Sequence, residues 1–477
     1  MQISPIDFAI LAAYLVAITT FGVGFRRGHR DLRDYFLGGR SAPWWALACS
    51  IVATETSTLT NIGTPALAFA GNLGFLQLVL GYLLARIILC VVLVPQYFQG
   101  EFYTAYELLG KRFGPRMKSA AAAVFLVTRS VAEGVRISAI GKVVSVAFGT
   151  GNRISILIVT LLTLFYTFEG GLRAVIWTDV IQLVLYLTGS IAAFFILLHK
   201  IPGGWPSVAA ASAAAGGKLR IFDFAFSLTQ TYTFWSGIIG GTFLTMASHG
   251  TDQTMVQRLL AARNERDSKT ALLASGVIIF FQFALFLVLG VMLFTYAQHS
   301  SFPVPIDTDR IFPEFIVRDM PRGLAGLALA AIFAVAMSNA SGSLNSLASS
   351  SIMDFSNRTS GDEQARAGSL ARSRRMTLAW GAALGALGLI QWKSVLEAGL
   401  TIASITYGAT LGVFLLGSWN RRAQEAGALA GFTAGLVAMI SIRLFAPSAL
   451  AWTWYVLAGT IVTFTIGSLA STLAPSK

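Results

Sequence analysis

Long apolar runs recur from one end of this 477-residue chain to the other, and they decide what it can fold into. Hydrophobic residues make up 55% of the chain and charged residues 12%, with a mean hydropathy of +0.68. A soluble core of this size needs more polar surface to cover it, so the pattern excludes a water-soluble globule. In lipid every backbone group must be satisfied within its own segment, which leaves helices as the spanning element for runs of about 17–25 residues. Thirteen such runs are predicted, near 5–24, 43–70, 74–97, 117–148, 152–168, 174–199, 228–248, 270–296, 323–353, 376–391, 395–418, 424–445 and 451–472. The chain is expected to form one all-α membrane domain over 1–477. No loop is long enough for a second domain; the longest, such as 199–222 and 354–375, are linker-like or charged.

The Lys and Arg residues orient this segmentation. Loops after odd-numbered helices hold 22 of them and the opposite loops hold nine. The positive-inside bias makes the richer set cytoplasmic, with the N-terminus outside and the C-terminus inside. The protein is expected in the cell membrane as a multi-pass chain. Its net charge of +13 is accounted for by these loops meeting anionic lipid. No basic run is interleaved with aromatics, so a nucleic-acid partner is not expected. The first run lacks the basic start and small-residue cleavage site of a signal peptide and reads as a permanent helix. Cys49 and Cys90 both fall in predicted helices without a CxxC, and the four histidines are scattered, so neither a disulfide nor a transition-metal site is expected.

Four groups of polar residues interrupt this apolar background. In Ala53-Thr-Glu-Thr-Ser-Thr-Leu-Thr-Asn-Ile-Gly-Thr-Pro65 eight polar residues break the second helix. Unwound backbone at membrane depth must line a cavity or be buried in protein, and its freed carbonyls can bind a hard cation such as sodium. A kinked packing helix with bonded hydroxyls is the plainer alternative. Trp235-Ser-Gly-Ile-Ile-Gly-Gly241 lies five helices later, a spacing that fits a five-plus-five inverted repeat over approximately 43–199 and 228–418. In Ser338-Asn339-Ala-Ser341-Gly342-Ser343-Leu-Asn345-Ser346 polar side chains recur every three to four residues and mark one helical face. These suit a sodium site, and equally close helix packing. Asp179 enters the bilayer at the start of a helix. It reads either as part of a cation path or as an interfacial carboxylate paired with Arg173 or another cytoplasmic Arg. Arg129, Glu133 and Arg136 share one face of the fourth helix. They form either a closed network, with Arg86 as a further member, or a site where one guanidinium grips a substrate carboxylate.

No nucleophile–base cluster or phosphate-binding GxxxxGK[ST] loop is present, so neither an enzyme nor an ATP-driven pump is expected.

Tyr35-Phe-Leu-Gly-Gly-Arg40, Glu169–Gln182, Asp252-Gln-Thr-Met-Val-Gln-Arg258 and Ser338–Asp354 together resemble the sodium:solute symporter family, whose members carry sugars, proline, pantothenate and sialic acid with sodium. The resemblance implies a LeuT-like fold: ten core helices in two inverted repeats, with one extra N-terminal and two extra C-terminal helices. It implies a sodium site formed by the carbonyls of Cys49, Val52 and Val335 and the side chain of Ser338. Asn339 stands where the family usually has a second hydroxyl, a departure that bears on ion selectivity. Some members of the sialic acid branch hold a further sodium, and Asp179, Ser338 and Ser341 match that set, while Gly342 replaces the next expected hydroxyl. Arg129 falls near that branch's carboxylate-holding position and Gln77 near a polar contact.

The expectation is therefore a sodium-coupled symporter that imports a small organic solute, one bearing a carboxylate. Its expected substrate residues are Thr54, Glu55, Thr56, Ser57, Gln77, Arg129, Arg136, Trp235, Thr401, Ser404 and Tyr407. Proton coupling through Asp179 and a non-transporting solute sensor are the alternatives. The sequence leaves the sodium stoichiometry and the oligomeric state open; a monomer is compatible with this fold.

Overall fold

The computed structural model describes residues 3–24, 37–100, 102–167, 171–355, 363–390, 392 and 395–473. Tyr35, Phe36, Glu169, Gly170 and the side chain of Ser338 fall outside the described residues. The principal helices are α1 (Pro5–Gly24), α2 (Trp44–Glu55), α3 (Thr58–Ala70), α4 (Leu76–Val92), α5 (Pro115–Phe148), α6 (Asn152–Thr167) and α7 (Gly171–Lys200). They continue with α8 (Gly241–Gly250), α9 (Gln253–Leu260), α10 (Glu265–His299), α11 (Leu324–Met353) and α12 (Glu363–Gly388). The last three are α13 (Val395–Trp419), α14 (Glu425–Phe445) and α15 (Tyr455–Leu473).

Among the described residues six segments are long and apolar enough to cross a membrane: α10, α11, α13, α14, most of α7 from Leu172, and Trp452–Leu473, which contains α15. That is fewer than the thirteen expected, and the shortfall has physical causes. The second predicted helix is divided into α2 and α3, of 12 and 13 residues. Each is about 20 Å long, short of the roughly 30 Å hydrocarbon core. α4 has 17 residues, and α5 carries Arg129, Glu133, Arg136 and Lys142 along its length.

The division of α2 from α3 follows from local chemistry. Thr56 (φ −78°, ψ 100°) and Ser57 (φ −98°, ψ 174°) are extended. Hydroxyls in this stretch take over backbone partners: Thr54 Oγ1 donates to the Ser50 carbonyl at 2.7 Å, and Thr60 Oγ1 accepts from the Ser57 N–H at 3.3 Å. Such side-chain bonds compete with the helical ladder and favour its interruption. α2 is enclosed by α7, α10 and α11, and α5 runs alongside α11 and α13. The three helices α13, α14 and α15 pack on one another at the C-terminal end.

The second interrupted stretch is wound differently from its surroundings. Ser236–Gly240 forms a π-helical turn that leads directly into α8. Wide turns of this kind occur mostly as single bulges, often beside functional sites. Here the turn lies against α4 with almost no side chain between them. A Cβ on Gly81 would meet the Gly237 carbonyl at 2.6 Å, and one on Gly241 would meet the Leu78 carbonyl at 2.3 Å. Glycine is required at both positions because backbone touches backbone.

Candidate functional site

A cavity of about 110 Å³ opens where the α2–α3 break faces α5, α8, α10 and α13. One water needs about 10–15 Å³ on this measure, so the space accommodates a small organic ion or several waters. Of the expected substrate residues, Thr54, Glu55, Ser57, Arg129, Arg136 and Tyr407 line it. Thr56, Gln77, Trp235, Thr401 and Ser404 are not part of its wall. The Thr56 hydroxyl accepts from Gln282. Gln77 holds the Tyr232 carbonyl at 3.3 Å and accepts from the Asp223 N–H at 2.9 Å, tying the 218–235 segment to α4. The Trp235 ring is 42% exposed and packs edge-on against Phe234. The Ser404 hydroxyl turns back onto the Leu400 carbonyl at 2.7 Å, and on α13 it is Leu396, Gly399, Leu400 and Ala403 that reach the cavity alongside Tyr407.

Two guanidiniums share one carboxylate on the α5 wall. Arg136 Nη1 donates to Glu133 Oε2 at 2.9 Å, and Arg129 Nη2 stands 3.8 Å from the same oxygen. Ser343 of α11 joins them, accepting from Arg129 Nε and Nη2 at 3.0 and 2.8 Å and donating to Glu133 at 2.7 Å. Arg136 Nε is buried without a partner. This patch therefore carries one surplus positive charge and an unused donor beside a cavity.

Opposite it lies a second cluster. Glu55 pairs with Arg86 and sits 3.3 Å from His249 Nε2, while His249 Nδ1 is 2.9 Å from the Ser248 hydroxyl. Arg86 thus belongs to Glu55 and not to the Glu133 network that the sequence offered as one arrangement. Tyr407 donates to Asp252 Oδ2 at 2.9 Å, and Asp252 caps α9 by accepting from the Thr254 N–H at 2.9 Å. Asp252 and His249 both face the cavity. The sequence marks Asp252 only as the start of a family-like string and does not single out His249. Two clues were available: His249 and Asp252 flank the Gly-Thr turn between α8 and α9, and a His in an apolar helix calls for a partner.

The residues expected around sodium fall into two groups. Asp179 is fully buried on α7. It accepts from the Ser50 hydroxyl and pairs with Arg258 Nη2 at 3.2 Å, while Arg258 Nε donates to Ser50 Oγ at 3.0 Å. The cytoplasmic Arg anticipated as its partner is therefore Arg258, from a different string of the sequence. Gly342 makes room for it, since a Cβ there would lie 2.9 Å from Arg258 Nη2. Ser341 is buried on the same helix.

The second group centres on Asn339. Its Nδ2 donates to the carbonyls of Ala53 (3.2 Å), Thr56 (2.9 Å) and Val335 (3.1 Å). The carbonyls that converge are thus those of Ala53 and Thr56 together with Val335. The Val52 carbonyl is engaged by the Thr56 N–H at 2.8 Å, and Cys49 lies half-buried on α2.

The fold has close counterparts. The model of the sodium:solute symporter family matches residues 35–435. The chain is 29% identical to the sodium/sialic acid symporter SiaT of Proteus mirabilis, over 99% of this chain and 96% of that one. It is also 29% identical to the human sodium/iodide cotransporter, over 92% of this chain and 69% of that one. The solved substrate-bound, outward-open state of a Na+-coupled sialic acid symporter superposes with a TM-score of 0.89 at 28% identity, covering 99% of each chain. The architecture is accordingly of the LeuT-like class. The chain belongs to the sodium:solute symporter family, and sodium is its coupling ion.

Proposed function

We propose that this chain imports a small, carboxylate-bearing organic solute with sodium, by alternating access around the cavity at the α2–α3 break. The observation that carries this reading is the Arg129–Glu133–Arg136 patch: two guanidiniums against one carboxylate, with Arg136 Nε unused. A substrate carboxylate completes that balance with charge-assisted hydrogen bonds. Thr54, Glu55, Ser57 and Tyr407 contact the solute body, and Asp252 with Glu55 accepts from its hydroxyl or ammonium groups. Thr56, Gln77, Trp235, Thr401 and Ser404 act from behind the wall. The solutes named for the two relatives, sialic acid and iodide, are both anions, which supports the sign of the charge.

On this reading sodium binds between α2 and α11 with help from Ser338, and Asp179, Ser341 and Arg258 form a neighbouring part of the ion path. The chain crosses the bilayer thirteen times, with inverted repeats over approximately 43–199 and 228–418. Its N-terminus is outside and its C-terminus cytoplasmic. One observation favours proton coupling instead, the buried His249–Glu55 contact at 3.3 Å on the cavity wall.

The test is uptake into proteoliposomes under an inward sodium gradient, across a panel of carboxylates and their amide analogues. Carboxylates should accumulate and their amides should not. Ser338→Ala should abolish sodium-driven accumulation. Uptake indifferent to sodium but driven by a proton gradient would replace sodium by the proton; equal uptake of amides would remove the role given to Arg136.

A further inference from the structure

The Asn339 carboxamide stands in an arrangement that an ordinary helix-packing amide does not need. Its nitrogen meets three carbonyl oxygens at 2.9–3.2 Å, two from the last turn of α2 and one from α11. The two α2 carbonyls are available because the break diverts their helical donors. The Ser57 N–H goes to Thr60 Oγ1 at 3.3 Å, and the Thr60 N–H goes to the Ser57 carbonyl at 2.9 Å. Three converging carbonyls at a helix break form a hard-cation cradle. The amide must present its nitrogen there, because an oxygen among three carbonyl oxygens would be repelled. Its own Oδ1 then points away, buried and without a donor. A buried acceptor left unmatched calls for an explanation, and a cation arriving later supplies one.

We propose that Asn339 is a resident competitor of the coupling ion. Its NH2 group occupies the cradle of Ala53, Thr56 and Val335, and sodium binds by displacing it. A cation held by the same carbonyls at about 2.3–2.6 Å would overlap the nitrogen, so the two occupants exclude each other. On displacement the carboxamide turns and its free Oδ1 becomes a ligand. A serine or threonine here has a shorter side chain and a single O–H in place of two N–H groups, so the cradle would stand open without ion. The competition raises the sodium concentration the transporter needs, and it holds α2 against α11 when no ion is bound.

This inference rests on sodium-coupled symport for the identity of the ion. The experiment compares the full-length chain with Asn339→Ser, and with Asn339→Thr in case the serine variant does not fold. Melting temperature and proteoliposome uptake are measured over a sodium titration, with potassium holding ionic strength constant. The variant should melt below the wild type in potassium and recover in sodium. Its half-maximal sodium concentration should fall about tenfold or more in both readouts, because the displacement step is gone. Identical half-maximal concentrations, or an equal loss of stability in both salts, would overturn the proposal and leave symport intact. If neither protein responds to sodium while a proton gradient drives uptake, the proposal and the sodium reading fall together.

Discussion

Two of the charge clusters inside this membrane domain differ in balance and in access. Arg258 and Asp179 are matched one to one, both fully buried, with Ser50 bridging them. Arg129, Glu133 and Arg136 are mismatched two to one, and both arginines reach the cavity. Ionisable residues within a membrane are costly wherever they stand. What separates a framework pair from a binding surface is an unbalanced charge with a route to the solute. By that criterion the α5 cluster is the proposed substrate surface, and the Arg258–Asp179 pair, beside the proposed ion path, ties α2, α7 and α9 together.

The contrast can be broken by substitution. Arg258→Ala should cost about 3–5 kcal/mol of stability, because it removes the cation paired with the buried Asp179. Arg258→Met combined with Asp179→Leu should recover most of it. A thermal melt of the three proteins reads the difference, and a mild effect of Arg258→Ala would show that the pair is not closed. Asp354, just past the end of α11, is an intermediate case, a buried carboxylate whose cation, Lys118, is 3.3 Å away and partly exposed. Burial pushes its carboxyl up to about 6, against hydrogen bonds from Ser350 and Thr104 and the pull of Lys118. The raised value means its stabilising contribution is full below about pH 4 and lost as pH rises through 6. Two units correspond to about 3 kcal/mol. The melting temperature should therefore fall between pH 4 and pH 7, and Asp354→Asn should flatten that slope.

Arg136→Gln should weaken substrate binding by about 1.5–3 kcal/mol, the range for hydrogen bonds to charged groups. Its melting temperature should move little, in contrast to Arg258→Ala. Titration calorimetry with a transported carboxylate measures the first and a melt the second; a large fall in stability would place Arg136 in the framework instead. The smallest effect is expected for Tyr407→Phe, which removes one hydrogen bond to Asp252 and leaves that from the Thr254 N–H in place: about 1.5 kcal/mol, the low end of the same range, seen as a modest rise in the half-saturating substrate concentration.

Much of this was legible in the chain because it depends on short-range chemistry. The break between α2 and α3 lies within the polar run 54–64, where hydroxyls compete locally with the helix. The shared face of Arg129, Glu133 and Arg136 follows from helical spacing alone, and so does their pairing. What could not be read were partners far apart in sequence. Arg258 and Asp179 each stood in a recognised string, yet nothing in either string links them. The joining of Arg86 to Glu55 and His249 likewise needs three helices in register. Asn339 stands out in the sequence as a departure from a hydroxyl, but the sequence does not say which of its amide atoms enters the cradle; the structure turns the nitrogen in. That choice depends on which carbonyls the break leaves free, a matter of backbone path and not of residue type. The count of crossings was least secure because a broken helix spends its apolar length in two short pieces.

The contact of the π-helical turn with α4 has a mechanical consequence. With Gly81 and Gly241 bringing main chain onto main chain, there is no cushion of side chains to slide or compress. α4 and the start of α8 must travel as one beam during the transport cycle. Any bending that opens the cavity therefore has to be taken up beyond that beam, at the non-helical residues 71–75 before α4, at the Thr251–Asp252 turn after α8, or at the extended Thr56 and Ser57.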